Sequence, residues 1–333
     1  MEIFIGIAIY LAALGAFFIL GVIIHELGHL VFGLMTGYKF VSFRVFFLVF
    51  FKEDGKVKAK GAKWIFGGQC LMAPPGDLAD FRFVWYNIGG GLVNLVAALI
   101  FAAAYAVTFN IIFLAAAIAN TLLVILSLVP LKYHYIPNDG MNVIEASKSD
   151  DGKRGFYLAL FVTSETSAGK RLRDFGSELF ALDESADTGN CFAAYIIICR
   201  AARHYDMGEY EKSAEALSRL DVNNLQPYYA NTVRFELMYH YTVHSPDSAK
   251  AKKLYNAAHM KTHFKLSALL PGITRTLSAY EYFVNSDKEK GKELLEKARK
   301  EAEEYPNTGI RAMEAEYCNY LEEKFEEGTC SNS

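Results

Sequence analysis

The sequence predicts an α-helical membrane protein with a three-span transmembrane core and a membrane-associated β-hairpin, followed by an all-α, solenoid-like soluble domain. The 333 residues are 52% hydrophobic, with a mean hydropathy of +0.14, which is high for a soluble protein of this length. Only 17 of the 71 charged side chains lie in residues 1–147. We therefore expect two domains, residues 1–147 in an apolar environment and residues 150–330 in water.

Two uncharged runs provide the three spans. The first has no charge from residue 3 to residue 24, and we expect its helix to continue to about residue 35. The second run, residues 83–131, is too long for one helix but fits two spans, about 83–107 and 110–132, with a turn near Thr108–Asn110. A signal peptide would begin with positive charge, whereas the chain begins Met1-Glu2, so we expect the first run to be a span.

The positions of Lys and Arg predict the orientation in the membrane. Eight basic residues, from Lys39 to Arg82, lie between the first and second spans. Cytoplasmic loops carry an excess of Lys and Arg, so this segment is expected in the cytoplasm. Three spans then place the N-terminus outside and everything after Lys132 inside. We expect a multi-pass protein of the cell membrane with a cytoplasmic C-terminal domain.

The segment between the first two spans has the composition of β-structure. Residues 40–52 are rich in aromatic and β-branched side chains, Asp54-Gly55 is a tight-turn signal, and residues 56–60 alternate Lys with small apolar residues. We interpret residues 40–66 as a β-hairpin on or in the cytoplasmic leaflet. The alternative is a short helix over residues 43–51, because short apolar runs are ambiguous.

The most informative stretch is His25-Glu26-Leu27-Gly28-His29. Residues four apart share a face of a helix, so both imidazoles can bind one metal ion with Glu26 beside them. Imidazole is a good zinc ligand, and a neighbouring glutamate can act as a general base on water. The motif also lies at the end of a span, where ionisable groups are costly and usually functional. Two interfacial histidines without a shared ligand are the alternative.

A catalytic zinc normally takes three protein ligands, so a third must come from elsewhere in the chain. Asp139 is the best candidate because it lies just beyond the third span, on the same side of the membrane as the two histidines. Its Pro and Gly neighbours would let the backbone leave helical geometry there. A simple exposed turn is the alternative for this segment, and His134 is the rival ligand. We expect Asp77 and Asp80, in a loop after two prolines, to face solvent.

These motifs resemble those of the site-2 protease family, which are intramembrane zinc metalloproteases. The family's Gly-Pro-x-x-Asn motif is similar to Gly90-Gly91-Leu92-Val93-Asn94, with Gly91 in place of Pro. Its Asn…Pro…Leu-Asp-Gly segment is similar to Asn120, Pro130 and Asn138-Asp139-Gly140, with Asn138 in place of Leu. The resemblance covers about residues 1–145.

The resemblance implies an activity and a role for each residue of the site. His25, His29 and Asp139 would bind one zinc ion per chain, Glu26 would be the general base, and Asn94 would position the scissile peptide or stabilise the oxyanion. The implied reaction is hydrolysis of membrane-spanning protein substrates near the cytoplasmic face, in regulated intramembrane proteolysis. The substrate must unwind before attack, and we expect an edge strand within residues 44–51 to pair with it.

The soluble domain shows no catalytic motif. Three stretches about 40 residues apart, beginning at Tyr205, Ser245 and Asn285, each look like the turn and second helix of a helical hairpin, which predicts a tetratricopeptide-like solenoid. We expect this domain to bind a cytosolic segment of the substrate or a cytosolic partner protein. The paired histidines at 240 and 244 and at 259 and 263 lack an acidic third partner, so we interpret them as structural.

Other classes of function remain open or are excluded by charge. A net charge of −3 and a pI near 6.3 exclude a dominant nucleic-acid-binding surface. A membrane-anchored helical-repeat scaffold with a vestigial or structural metal site is the main alternative to a protease. A membrane metallohydrolase acting on a non-peptide substrate is a third possibility, since the ligands alone do not distinguish it.

Overall fold

The computed structural model describes residues 2–53, 55–61, 67–130, 137–183, 185–267 and 270–330. The chain divides into two compact units, Met1–Lys148 and Ser149–Ser333. Both units are mainly helical, and the sheet found among the described residues belongs to the first unit.

The described part of the first unit contains four helices: α1 (Glu2–Met35), α2 (Phe83–Thr108), α3 (Ile111–Leu128) and α4 (Asp139–Ser147). Helices α1 to α3 are long and apolar enough to cross a membrane, as the uncharged runs predict. Phe109 ends α2 in a left-handed conformation with φ of 52°, and the Asn110 side chain accepts a hydrogen bond from the backbone N–H of Ile112 to begin α3. α2 and α3 are thus joined at Phe109 and Asn110, where the sequence predicts a turn.

Between α1 and α2 the chain forms a four-stranded antiparallel sheet, which is larger than the predicted hairpin. The strands are β1 (Lys39–Val45), β2 (Leu48–Glu53), β3 (Lys56–Gly61) and β4 (Gly68–Ala73), in the spatial order β3-β2-β1-β4. The alternative helix over residues 43–51 is wrong. Asp54 and residues 62–66 of the predicted hairpin lie outside the described residues.

The order of the strands corrects the expected edge. β1 pairs with both β2 and β4, and β2 pairs with both β1 and β3. Residues 44–51 therefore lie inside the sheet, where their backbone hydrogen bonds are already shared with neighbouring strands. The strands with an unpaired side are β3 and β4.

Glycines let α1 and α2 approach closely at the level of the HELGH motif. A Cβ atom built on Gly28 would lie 2.5 Å from the carbonyl oxygen of Gly89, and one on Gly89 would lie 2.8 Å from Cβ of Phe32. Neither position accepts a larger residue without moving one of the helices. This contact brings α2 beside the two histidines of α1.

The described part of the second unit is built from helices. They are α5 (Asp150–Ser167), α6 (Cys191–Asp206), α7 (Tyr210–Ser218), α8 (Pro227–Val243), α9 (Ser248–Tyr255), α10 (Met260–Leu266), α11 (Pro271–Phe283), α12 (Lys288–Glu304) and α13 (Thr308–Cys330). Helix α6 packs on α7, α8 on α9, and α11 on α12. The three stretches that predicted second helices correspond to α7, α9 and α12. A solenoid-like stacking of these pairs stays a prediction.

Candidate metal centre

The two histidines of the motif face one another on α1. They lie one helical turn apart, and the distance between their Nε2 atoms is 3.0 Å. The rings meet edge to face, at an interplanar angle of 83°. His29 is buried and His25 is half-buried, so the pair sits in a protein-lined site. Glu26, between them in sequence, is also buried.

Asp139 completes this group from the start of α4. Its Oδ2 atom lies 3.1 Å from Nε2 of His25 and 3.4 Å from Nε2 of His29. Among the residues that the structure describes, these three are the group of His, Cys, Asp or Glu side chains whose geometry could hold a metal ion. The two segments that the sequence analysis singled out, 114 residues apart, therefore meet at one point.

The separations between the donor atoms fit a zinc ion. Donor atoms that bind zinc tetrahedrally at ~2.0–2.1 Å lie about 3.3 Å from one another. The three separations observed here, 3.0, 3.1 and 3.4 Å, are close to that value. Two imidazoles and one carboxylate are also ligands that zinc accepts, and they leave a fourth position for the reacting groups. The residues present therefore fit a catalytic metal.

Hydrogen bonds at Nδ1 orient both imidazoles. Nδ1 of His25 lies 2.9 Å from Oδ1 of Asn94, and Nδ1 of His29 lies 2.7 Å from the carbonyl oxygen of Tyr86. Because both acceptors lack a proton on the atom in question, each Nδ1 carries the ring hydrogen. When the ring is neutral, as it is when it binds a metal, each Nε2 has its lone pair directed at the shared point.

Asn94 occupies a different position from the one that the resemblance implied. Its side chain is fully buried, and its amide nitrogen donates to the carbonyl of Gly21 at 3.0 Å and to Oδ1 of Asn120 at 2.9 Å. Both amide hydrogens are therefore used, so none is available to an oxyanion or a substrate carbonyl. The geometry makes Asn94 a residue that orients His25.

Asp139 is the first residue of α4: Asn138 before it is extended, so the backbone does leave helical geometry there, whereas Gly140 lies within the helix. The Oδ1 atom of Asn138 accepts a hydrogen bond from the backbone N–H of Met141 and so caps the helix. The same side chain donates to the carbonyls of Leu126 and Val129, at 2.8 and 2.7 Å. Asn138 therefore ties the start of α4 to the end of α3.

Two glycines keep space open beside the site. A Cβ atom on Gly90 would lie 2.6–2.7 Å from atoms of both imidazoles, and one on Gly68 would lie 2.4 Å from Cγ of Glu26. The backbone N–H of Cys70, two residues further along β4, hydrogen-bonds to the Glu26 carboxylate. Gly68 thus lets the backbone of β4 approach Glu26 closely enough for the N–H of Cys70 to hold the carboxylate.

The electrostatics of the site favour an ionised Asp139. Burial acts to raise the pKa of this carboxyl, but the imidazoles of His29 and His25 lower the pKa well below its usual range. The carboxylate therefore stays negatively charged at neutral pH and can serve as a metal ligand.

The other candidates lie elsewhere. Asp77 is exposed and its Oδ1 accepts a hydrogen bond from the backbone N–H of Ala79, and Asp80 is exposed as well, so both face solvent as expected. His134 lies outside the described residues. His244 stacks on Tyr210 with ring centroids 3.7 Å apart, which agrees with the structural interpretation of its histidine pair.

Sequence reasoning missed Tyr86, Gly90 and the capping role of Asn138. A backbone carbonyl such as that of Tyr86 leaves no mark in a sequence. Gly90 stood within the Gly-x-x-x-Asn motif, but its role appears only once its distance to the imidazoles is known. Asn138, by contrast, precedes a helix start and is a residue type that commonly caps helices, so this signal was available.

Comparison with known proteins agrees with this arrangement. A family model described as Peptidase family M50 matches residues 12–307. No curated protein and no solved structure matches the chain. Because the match covers well over half of the 333 residues, the chain belongs to peptidase family M50, the site-2 protease family of intramembrane metalloproteases.

Proposed function

We propose that this protein is a zinc endopeptidase that hydrolyses peptide bonds of membrane-spanning substrates near the cytoplasmic face of the membrane. The observation that carries the proposal is the convergence of one donor atom each from His25, His29 and Asp139, with Glu26 beside them. The site lies among three helices that are apolar enough to cross a membrane. Membership of the M50 family supports peptide hydrolysis over other reactions of such a site.

The residues of the site would share the chemistry as follows. Zinc, held by the two imidazoles and Asp139, would polarise the scissile carbonyl and lower the pKa of water. Glu26 would take the proton of the attacking water and deliver it to the leaving amine. The hydrogen bond from the backbone N–H of Cys70 would keep the Glu26 carboxylate in position. Asn94 and Tyr86 would keep the imidazoles aligned.

The edge of β4 is the proposed binding place for an unwound substrate. A transmembrane helix satisfies its own backbone hydrogen bonds, so it must open locally before a peptide bond is attacked. The N–H of Cys70 bonds to Glu26 and its C=O accepts from Oη of Tyr86 at 2.6 Å, so the backbone of Cys70 faces away from β1. By the alternation of a strand, Gly68 faces the same way, next to Glu26. Because both backbone groups of Cys70 are already used, we propose that an extended substrate pairs with this edge at Gly68 by β-augmentation.

The orientation follows from the charge pattern. The basic residues between α1 and α2 would place the sheet, α4 and the second unit in the cytoplasm. The second unit would then be accessible to a cytosolic part of the substrate or to a cytosolic partner, as regulated intramembrane proteolysis would require.

The first test is the zinc content of detergent-purified protein. We expect about one zinc per chain in the wild type, because three protein ligands suffice for a catalytic site. Asp139→Ala should lose the metal, whereas Asp77→Ala, at an exposed aspartate in the loop between β4 and α2, should keep it. His134→Ala should also keep it. Loss with His134→Ala and retention with Asp139→Ala would assign the third ligand to His134.

The second test separates a protease from a scaffold. Glu26→Gln should retain zinc but lose cleavage of membrane-spanning substrates, and should accumulate an uncleaved substrate in the complex. A wild-type protein that binds no zinc after reconstitution would favour the scaffold. Zinc-dependent turnover of a lipid or small molecule without peptide cleavage would favour the non-peptide hydrolase.

A further inference from the structure

The second unit contains a cavity to which no function has been assigned. Its volume is about 250 Å³, and its walls come from α6, α7, α8, α10, α11 and α13. Most of the lining is apolar, with Ile198, Leu217, Phe235, Ile273 and Met313 among the side chains. The volume exceeds the ~150 Å³ of an engineered apolar cavity that binds benzene, so the space suffices for a small organic molecule.

A buried ion pair forms part of the wall. The guanidinium of Arg275 donates from Nε to Oε2 of Glu314 at 2.8 Å and from Nη2 to Oε1 at 3.4 Å. Its third nitrogen, Nη1, is buried without a hydrogen-bond partner and is closed to a water-sized molecule. The charge of Arg275 is therefore balanced by that of Glu314.

Glu236 is the carboxylate of the cavity lining that has no ion-pair partner among the described residues. It projects from α8 into the lining, is half-buried, and makes no hydrogen bond to any residue that the structure describes. Neither carboxyl oxygen of Glu236 is fully buried without a hydrogen-bond partner. Since Glu236 lines the cavity, its carboxyl therefore borders the open space there. Together, Glu236, Glu314 and Arg275 carry a net charge of −1 when all are ionised. The uncompensated charge lies on Glu236.

We propose that this cavity binds a small organic cation whose ammonium group pairs with Glu236 and whose apolar body fills the rest of the space. The ammonium would neutralise the excess negative charge, and the aromatic side chains of Tyr205 and Tyr228 also line the cavity. An apolar wall with a few convergent polar groups is the usual composition of a ligand site.

The other titratable groups of the lining favour a cation over an anion. Burial lowers the pKa of His263 to about 4, so this imidazole is neutral at pH 7 and adds no positive charge. Burial also raises the pKa of Glu236 to about 7, which shows the cost of an ionised carboxylate without a partner at this place. A bound ammonium removes that cost, whereas a bound carboxylate would increase it.

The test uses the full chain in detergent and three probes of nearly equal shape. 2-Phenylethylamine carries the cation, 2-phenylethanol is its neutral counterpart, and 3-phenylpropanoate is its anionic counterpart. We expect the amine to bind about ten- to hundredfold more tightly than the other two by isothermal calorimetry, since a charge-assisted hydrogen bond distinguishes them. Equal affinities, tighter binding of the anion, or no binding of the amine up to about 10 mM would overturn the proposal.

Two variants locate the binding site. Glu236→Gln keeps the shape of the side chain but removes its charge, and should weaken binding of the amine about tenfold or more. Glu215→Gln is the matched control, because Glu215 is exposed on α7 and pairs with Arg219 outside the cavity. Unchanged binding in Glu236→Gln, or an equal loss in Glu215→Gln, would show that the amine binds elsewhere. The inference does not rest on the proposed protease function, because the cavity is lined by residues of the second unit and amine binding is measured without zinc analysis or proteolysis.

Discussion

Two residues other than the three candidate metal ligands set the direction of the two imidazoles. Asn94 accepts the Nδ1 hydrogen of His25, and the carbonyl of Tyr86 accepts that of His29. Asn94 is itself held by the carbonyl of Gly21 and by Asn120, so the orientation of His25 depends on a buried chain of hydrogen bonds. Hydrogen-bond partners of this kind fix the tautomer and the orientation of a histidine ligand.

We therefore predict that Asn94→Ala lowers the affinity for zinc about 10- to 100-fold, the usual effect of removing such a partner. Competition with a chelator, followed by metal analysis of the purified protein, measures this. Asn87→Ala is the control, because Asn87 is equally buried on α2 but donates only to the carbonyl of Phe83. If both variants lose zinc to the same degree, the effect comes from a disturbed helix and not from His25.

Glu236 gives a prediction of pH-dependent stability. Burial raises its pKa from 4.5 to about 7, Arg275 opposes the rise and Glu314 adds to it, while the nearby His263 is neutral above pH 5. A folded-state pKa above the unfolded value means that the ionised carboxylate destabilises the folded state. This destabilisation is fully present above about pH 7 and disappears as the pH falls towards 4.5. The shift corresponds to roughly 3 kcal/mol.

Glu236→Gln, which is neutral at every pH, should therefore raise the melting temperature of the second unit by several degrees at pH 8 and leave it nearly unchanged at pH 5. Scanning calorimetry of the full chain without added ligand measures both values. The exposed Glu215→Gln should show no such difference. A variant that melts at the wild-type temperature at pH 8 would mean that the carboxyl is already stabilised in the folded protein.

At the scale of elements, the placement of Asp139 depends on the junction between α3 and α4. Asn138 caps α4 and also bonds to two carbonyls at the end of α3. Gly140 permits this contact, since a Cβ atom there would lie 2.1 Å from the carbonyl oxygen of Leu128. The carboxylate is thus aimed by the packing of two helices.

We predict that Asn138→Ala weakens zinc binding more than Asn138→Ser does. Serine still caps a helix but cannot donate to the two carbonyls of α3, whereas alanine loses both functions, and loss of a cap alone costs about 1 kcal/mol. Zinc retention during dialysis against a chelator ranks the wild type, Asn138→Ser and Asn138→Ala by their affinity for zinc. Ser149→Ala, which removes the cap of α5 in the second unit, should retain zinc like the wild type. Wild-type retention in Asn138→Ser would show that the cap alone is sufficient.

The elements that sequence patterns predicted are those with a strong local signal. Helices α1 to α3 follow from long uncharged runs, and His25 and His29 follow from their spacing of four. β4 escaped prediction because its side chains do not alternate between apolar and polar, and its position comes from pairing with β1. The hydrogen bonds of Asn94 escaped it for a similar reason, since they join segments up to 73 residues apart.

At the scale of the whole molecule, the predicted three spans would place the residues before α1 and those after α3 on opposite sides of the membrane. α2 has 26 residues and therefore rises about 39 Å, enough to cross the hydrocarbon core. The segment between α1 and α2 and the segment after α3 then share one side, which is where Glu26, β4 and Asp139 meet. The turn between α2 and α3 must lie on the other side. We predict from the basic residues between α1 and α2 that the shared side is the cytoplasm.

Cysteine labelling tests this orientation, because four of the five cysteines (Cys70, Cys191, Cys199 and Cys318) are buried and should react slowly, and the unaltered chain measures the contribution of the fifth, Cys330. A cysteine at Thr108, exposed at the turn between α2 and α3, should react with a membrane-impermeant maleimide on intact cells. A cysteine at Lys253, exposed on α9, should react only after the cells are permeabilised. The wild-type chain gives the background in both conditions.

The reverse pattern would place the proposed metal site and the second unit outside the cell, and cleavage near the cytoplasmic face would then have to be abandoned. Labelling of both positions on intact cells would place them on the same side of the membrane and so contradict α3 as a span between them.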